Sequence, residues 1–222
     1  VCGRFTLTVS ARLLAELFEL EGLSNFAPRY NIAPTQLVPA IRATEDGGRE
    51  AFEARWGLIP PWAKDRKMAA RMINARSETV ASKPAFRAAV RSRRCLIPAD
   101  GFYEWRKIDG AKQPYLIRFA DRRPFGFAGL WERWHEPGGG SVDSCTIITT
   151  EPNPLVEAIH DRMPVILNPG DFDEWLEAVQ LPPDRLSALL VPCPDEGMEA
   201  LPVSTRVNNP RNDDPACLEP VA

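Results

Sequence analysis

The chain has only two histidines, His135 and His160, and its five cysteines are scattered at positions 2, 95, 145, 193 and 217 with no Cys-x-x-Cys pair among them. Zinc fingers and thioredoxin-type redox motifs need such pairs, and a histidine-rich metal centre needs more imidazoles, so neither a metal nor another cofactor is expected. An odd, widely spaced set of cysteines is not a disulfide framework, and reduced thiols in the cytosol fit it best. No apolar run approaches the roughly 18 residues of a membrane-spanning helix, and the N-terminal stretch lacks the apolar core of a secretory signal. A soluble cytoplasmic protein without a membrane partner is the expectation. Internal repeats and low-complexity tracts are absent as well.

What is present is a chain of 222 residues with 44% hydrophobic content, enough for one sizeable core, and one domain over residues 1–222 is expected. Its 22 prolines cut it into short elements, which suits a strand-rich α+β domain with long ordered loops. A helix is predicted over Ala11–Leu20, N-capped by Ser10, with Leu13, Leu14, Leu17 and Phe18 as its buried stripe. Strands are predicted at Leu37–Ile41, Ala51–Leu58, Arg94–Ile97, Pro114–Phe119, Phe125–Trp131 and Ser144–Thr149, where β-branched and aromatic residues gather. Asp171 with Glu174 has the form of a capping box opening a helix through Trp175 and Val179, and a further helix is predicted over Pro183–Leu190. The tail after Asn208 reads as extended.

Net charge is only −3, but its distribution is uneven: residues 1–110 carry 18 Lys+Arg against 12 Asp+Glu, and residues 111–222 carry 9 against 18. Between Arg55 and Arg94, eleven cations face only Asp65 and Glu78, with Trp56, Trp62 and Phe86 interleaved. Cations for phosphates and flat rings for unstacked bases are what a single-strand nucleic-acid binder uses, although most charge runs are solvated faces.

Four polar residues carry chemistry. Cys2, once residue 1 is removed, presents an α-amine beside a thiol; the amine attacks an aldehyde to give an imine, and the thiol closes on that imine to form a thiazolidine. Interior cysteine is common, so position alone is weak support. Asn74 lies in a segment whose flanks read as buried. Glu104 is enclosed by Phe102, Tyr103 and Trp105, surroundings that raise a carboxyl pKa and suit a proton shuttle, unless it simply pairs with an arginine at a strand edge. His160 ends a short helical segment begun at Pro154 and stopped by Pro164; the helix C-terminus and Asp161 would favour its charged form. A lone histidine is more often structural.

Taken in order, Cys2-Gly3-Arg4-Phe5, Arg29-Tyr30-Asn31-Ile32-Ala33-Pro34, Trp56-Gly57-Leu58-Ile59-Pro60 with Trp62, Ile73 to Thr79, Ala99 to Trp105, Ile159 to Pro164, and Pro202-Val203-Ser204 resemble the SRAP family, the SOS-response-associated peptidases. The resemblance implies an SRAP-type single domain, with twisted, mainly antiparallel sheets forming a barrel-like core and short helices flanking it. It implies a monomer that senses and shields abasic sites in single-stranded DNA near the replication fork, through a covalent thiazolidine link made by Cys2. By the same resemblance Cys2, Asn74, Glu104 and His160 are catalytic. Cys2 is the nucleophile, Asn74 holds attack geometry, Glu104 relays protons, and His160 assists ring opening of the sugar. Arg4, Arg76 and Arg162 would hold phosphates, Trp62 would stack beside the lesion, and Thr149 would line the pocket. Family members begin Met-Cys, and Met removal exposes the amine; here Val1 must leave for the same result. Two other readings stay open, a thiol autopeptidase built from Cys2, Glu104 and His160, and a non-covalent single-strand binding module.

Overall fold

A computed structural model describes residues 2–21 and 26–221, and its centre is a barrel that closes because one long strand pairs on both of its sides. In chain order the strands are β1 (Phe5–Leu7), β2 (Arg29–Ile32), β3 (Leu37–Ala43), β4 (Arg49–Trp56), β5 (Asn74–Arg76), β6 (Arg94–Ala99), β7 (Gly101–Ile108), β8 (Ala111–Phe119), β9 (Phe125–His135), β10 (Ser141–Thr150), β11 (Met163–Pro164), β12 (Ile166–Leu167) and β13 (Met198–Pro202). The helices are short: α1 (Ala11–Phe18), α2 (Ala89–Ser92), α3 (Pro154–Glu157), α4 (Phe172–Leu176) and α5 (Pro183–Leu189). The fold is α+β.

The ring runs β10-β4-β3-β6-β9 and returns to β10, antiparallel throughout except where β10 lies parallel to β4 through Ser144 and Arg55. The ring is closed by short contacts at two seams, β10 with β4 over two residue pairs and β3 with β6 at Ile41 and Leu96, and by long ladders elsewhere. β6 is buried at every position, which is why it reads as a nearly continuous apolar run rather than an alternating one. Phe5 enters the same core, edge-on to Trp56 and Phe127 with centroids 5.1 and 5.8 Å away. A second, antiparallel sheet has the order β13-β8-β7-β1-β2. Gly57, with φ of +127°, ends β4 where a Cβ would stand 2.5 Å from the Ala69 carbonyl oxygen, so only glycine fits this turn of the Trp56-Gly57 motif.

All six predicted strands form, with ends shifted by a few residues. Helix α1 has Ser10 at its N-cap, its hydroxyl accepting from the Leu13 amide, but it stops at Phe18 because Glu19 turns left-handed at φ 53°. Its buried face is Ala11, Leu14 and Phe18, and Leu13 faces out at 39% exposure. The capping box at Asp171 does not form: Asp171 closes a 3₁₀ turn over Pro169–Asp171, and its side chain caps no amide of α4. Nor does α4 reach Val179. The buried Arg94 guanidinium accepts that role instead, donating to the carbonyls of Trp175, Glu177 and Val179 and drawing the chain off the helical path. The tail is not extended either. Asp214 caps a 3₁₀ turn over Pro215–Leu218, and Asp213 ties the segment back to β2. No helix among the described residues is long and apolar enough to cross a membrane.

Candidate active site

The N-terminal end of the chain lies where the two sheets meet. β1 is held on one side by β7, with Phe5 opposite Phe102 and Thr6 opposite Gly101, and continuing that register sets Gly3 opposite Glu104. The Asp100 carboxylate fixes the other end of β1, accepting from the Thr6 hydroxyl at 2.5 Å and from the amides of Thr8 and Val9 at 2.6 and 3.1 Å. Cys2 is thereby delivered beside Glu104 from the second sheet. From the barrel side, β5 runs along β10 and presents Asn74, whose side-chain amide donates to the Cys2 carbonyl at 2.9 Å.

Cys2 has no exposed surface, and burial pushes its thiol well above the ordinary range, with the neighbouring Glu104 charge adding to the rise. Glu104 is 3% exposed, and burial raises its carboxyl to about 7. His160 Nε2 stands 3.9 Å from Glu104 Oε2. His160 Nδ1 lies 3.0 Å from the Arg162 amide nitrogen and 2.9 Å from Asp161 Oδ1, so it accepts from the amide when bare and donates to the carboxylate when protonated. Burial lowers the His160 pKa against the pull of Asp161, so the expected preference for the charged ring does not hold: removal from water outweighs one exposed carboxylate. Asn74 Oδ1 is buried and accepts no hydrogen bond among the described residues. Val1 lies outside those residues.

A cleft of about 390 Å³ opens over Glu104 and His160, lined also by Gly3, Trp105, Lys112 and Asn208; Cys2 and Asn74 are not among its lining residues. Trp105 was named in the sequence as part of the aromatic surroundings of Glu104, but Lys112 and Asn208 were not singled out, and nothing in the spacing of these three residues points to a shared wall. The remaining predicted residues divide. Thr149 is buried on β10 opposite Arg76, and its carbonyl accepts from the Arg162 guanidinium at 2.7 Å. Arg162 also forks onto the Glu78 carboxylate. Arg76 is exposed, and Trp62 is 57% exposed but is not among the cleft-lining residues. Arg4 turns the other way, donating to Asn31 Oδ1 at 2.9 Å and to the Val207 carbonyl at 2.6 Å.

The basic run is partly dismantled by the fold. Arg94 is inside the protein on five backbone carbonyls, Arg93 pairs with Glu132, and Arg66 pairs with Glu136. Trp56 and Phe86 belong to the core, which leaves Trp62 as the one exposed ring of the three. Lys64, Lys67, Arg71, Arg76, Lys83, Arg87 and Arg91 stay exposed. All five cysteines are buried and unpaired, and no cluster among the described residues is suited to a metal ion.

The family model described as SOS response associated peptidase (SRAP) matches residues 1–210. The abasic site processing protein YoqW of Bacillus subtilis is 46% identical over 224 residues, covering 99% of each chain. The abasic site processing protein HMCES of Gallus gallus is 34% identical over 228 residues, 88% of this chain and 67% of its own. A crystal structure of a protein from Bacteroides thetaiotaomicron superposes with a TM-score of 0.87 at 27% identity, covering all of both chains. By its sequence from end to end, and by a fold shared with a solved relative, this chain belongs to the SRAP family.

Proposed function

We propose that the protein processes abasic sites in single-stranded DNA by linking itself to the opened sugar through Cys2 once residue 1 is gone. The observation that carries this reading is the clustering of Cys2 with Asn74, which donates to its carbonyl, beside Glu104 and His160, which line the adjoining cleft. The relatives' shared description as abasic site processing proteins supplies the substrate class. The Cys2 nitrogen adds to the sugar aldehyde carbon, and water leaves as the imine forms. The sulfur then adds to the same carbon; its proton passes to the nitrogen, with Glu104 as relay, and a thiazolidine results. A carboxyl near pH 7 both accepts and returns a proton under working conditions, which is what a relay needs. The open acceptor at Asn74 Oδ1 suits a hydroxyl of the incoming sugar or the Cys2 amine, and Asn74 Nδ2 meanwhile fixes the attacking end.

The remaining exposed cations offer phosphate contacts, and Trp62 offers a stacking face. A single-stranded oligonucleotide with one abasic site tests the reading: protein whose first residue is Cys2 by intact mass should give a shifted band that survives heat and denaturant, and Cys2→Ala should give none. A band that dissolves on denaturation would leave a non-covalent binder. Undiminished cross-linking by Cys2→Ala would remove the mechanism altogether.

A further inference from the structure

We propose that the C-terminal segment Thr205–Leu218 is part of the reactive site, a latch that fixes the Cys2–Arg4 end of the chain, with Asn31 as the positioning residue that joins the two. The proposal rests on Cys2 being the reacting residue. It begins from Arg29-Tyr30-Asn31-Ile32-Ala33-Pro34, a motif for which the cross-linking chemistry has no use.

Asn31 lies on β2 and is fully buried. A buried side-chain amide needs partners for both of its ends, and Asn31 draws them from opposite termini of the chain. Its nitrogen donates to the carbonyls of Val207, Asn209 and Asn212 at 3.1, 3.1 and 2.7 Å, all in the tail. Its oxygen accepts from Arg4 at 2.9 Å, and the same Arg4 nitrogen donates to the Val207 carbonyl at 2.6 Å. Asn31, Arg4 and Val207 therefore form a closed cycle, two residues from the nucleophile. The tail grips β2 in return, since Asp213 accepts from the amides of Tyr30 and Asn31 at 2.5 and 3.0 Å and from the Arg29 guanidinium.

The latch also touches both neighbours of Glu104. The Tyr103 hydroxyl donates to the Tyr30 carbonyl at 2.8 Å and packs with Val207 and Cys217, and Trp105 Nε1 donates to Asn208 Oδ1 at 2.8 Å. Asn208 in turn lines the cleft. The backbone of residues 2–4 is tied by the Tyr103 amide at the Arg4 carbonyl (3.0 Å) and by Asn74 at the Cys2 carbonyl (2.9 Å), and the latch adds the hold on the Arg4 side chain. Holding Arg4 holds Cys2, whose thiol donates to the Arg4 carbonyl at 3.9 Å.

Two measurements test this, one of which does not depend on DNA. In Asn31→Ala, alkylation of Cys2 by iodoacetamide, assigned by peptide mass, should accelerate about tenfold or more because the end now opens locally. Cross-linking at saturating abasic strand should slow about tenfold or more, with the half-saturating strand concentration moving by less than about threefold. Asp213→Asn, which keeps an acceptor for the two amides, should stay close to wild type in both. Leu14→Ala, a core change in α1, should lower the melting temperature without speeding Cys2 alkylation. Should Asn31→Ala not fold, Asp213→Ala cuts the same tie from the other side. Wild-type alkylation of Cys2 in the cut variant, or an equal acceleration in Leu14→Ala, would overturn the latch. A wild type that makes no cross-link would instead sink the reading of Cys2 as DNA nucleophile, while the alkylation still decides whether the tail holds it.

Discussion

Replacing Glu104 by glutamine separates the chemistry of the site from its architecture. Glutamine has the shape of the protonated acid and never ionises. Burial raises the Glu104 carboxyl from an ordinary 4.5 to about 7, so the folded protein keeps a proton that the unfolded chain releases. Stability from this group is therefore full below the unfolded value and is lost as pH rises through about 7. At about 1.4 kcal/mol for each tenfold change in proton affinity, the wild type gives up about 3 kcal/mol by mildly alkaline pH. Glu104→Gln gives up none, so the two proteins should melt together near pH 4.5 and separate by about 6 to 12 °C at pH 8, the variant higher.

Cross-linking should move the opposite way. With no proton to relay, the rate at saturating abasic strand should fall by about 10² to 10⁴, and the limb of the pH–rate profile with its midpoint near pH 7 should vanish. Affinity for a strand carrying a reduced, unreactive abasic analogue should not change. A variant more stable at pH 8 but nearly inert is the signature of a carboxylate held there for function. Wild-type rate with an unchanged profile would refute the relay, and a melting difference that does not grow with pH would refute the burial argument itself.

Arg76→Ala should weaken binding to every single strand alike and reduce the salt slope by about one counterion, measured by titration at several salt concentrations. Trp62→Ala should cost roughly 1 to 3 kcal/mol of binding with the salt slope intact, because a ring stacks without displacing counterions. Arg94→Met should leave five carbonyls without their donor and lower stability by about 3 to 5 kcal/mol in urea unfolding, while the folded fraction binds DNA as before. Loss of DNA affinity in that variant at low denaturant would show that Arg94 reaches the surface after all.

The barrel strands were readable because their burial leaves a local mark. β6 and β9 are apolar runs, and β3 is bounded by turn residues. β7 was not read as a strand although it carries Glu104. Its second half, Trp105 to Ile108, is mostly exposed and carries two adjacent cations, and it is a strand because β8 pairs with it from Phe102 to Ile108. The basic run misled for a related reason. Adjacency in sequence is not adjacency on a surface, and the barrel sends Arg94, Trp56 and Phe86 inward while their neighbours face solvent. The candidate site residues were picked out through family motifs, but the proximity of Cys2, Glu104 and Asn74 was not legible, because Cys2 leads into one sheet with Glu104 and Asn74 lies in the other. Asn31 shows the limit from the other direction: its motif was visible, and the tail carbonyls its nitrogen donates to lie more than 170 residues away.

The electrostatics of Cys2 bear on which of its two nucleophiles moves first. A thiol hydrolase works through a thiolate, and its cysteine is kept acidic by a neighbouring imidazolium, a cation or a helix N-terminus. Here the opposite contributions win: burial and the Glu104 charge raise the Cys2 thiol against the lowering pull of the N-terminal ammonium and of the Arg4 backbone, and burial lowers the His160 pKa. A sulfur-first attack would begin from the wrong protonation state. A nitrogen-first route asks nothing of the thiol until the imine stands beside it, when addition to carbon and loss of the proton occur together and Glu104, near its own midpoint, takes that proton. The same burial that makes the sulfur a poor hydrolytic nucleophile protects it from alkylation and oxidation in the resting protein. On the proposed mechanism, the burial of Cys2 therefore favours the nitrogen-first route over thiol hydrolysis.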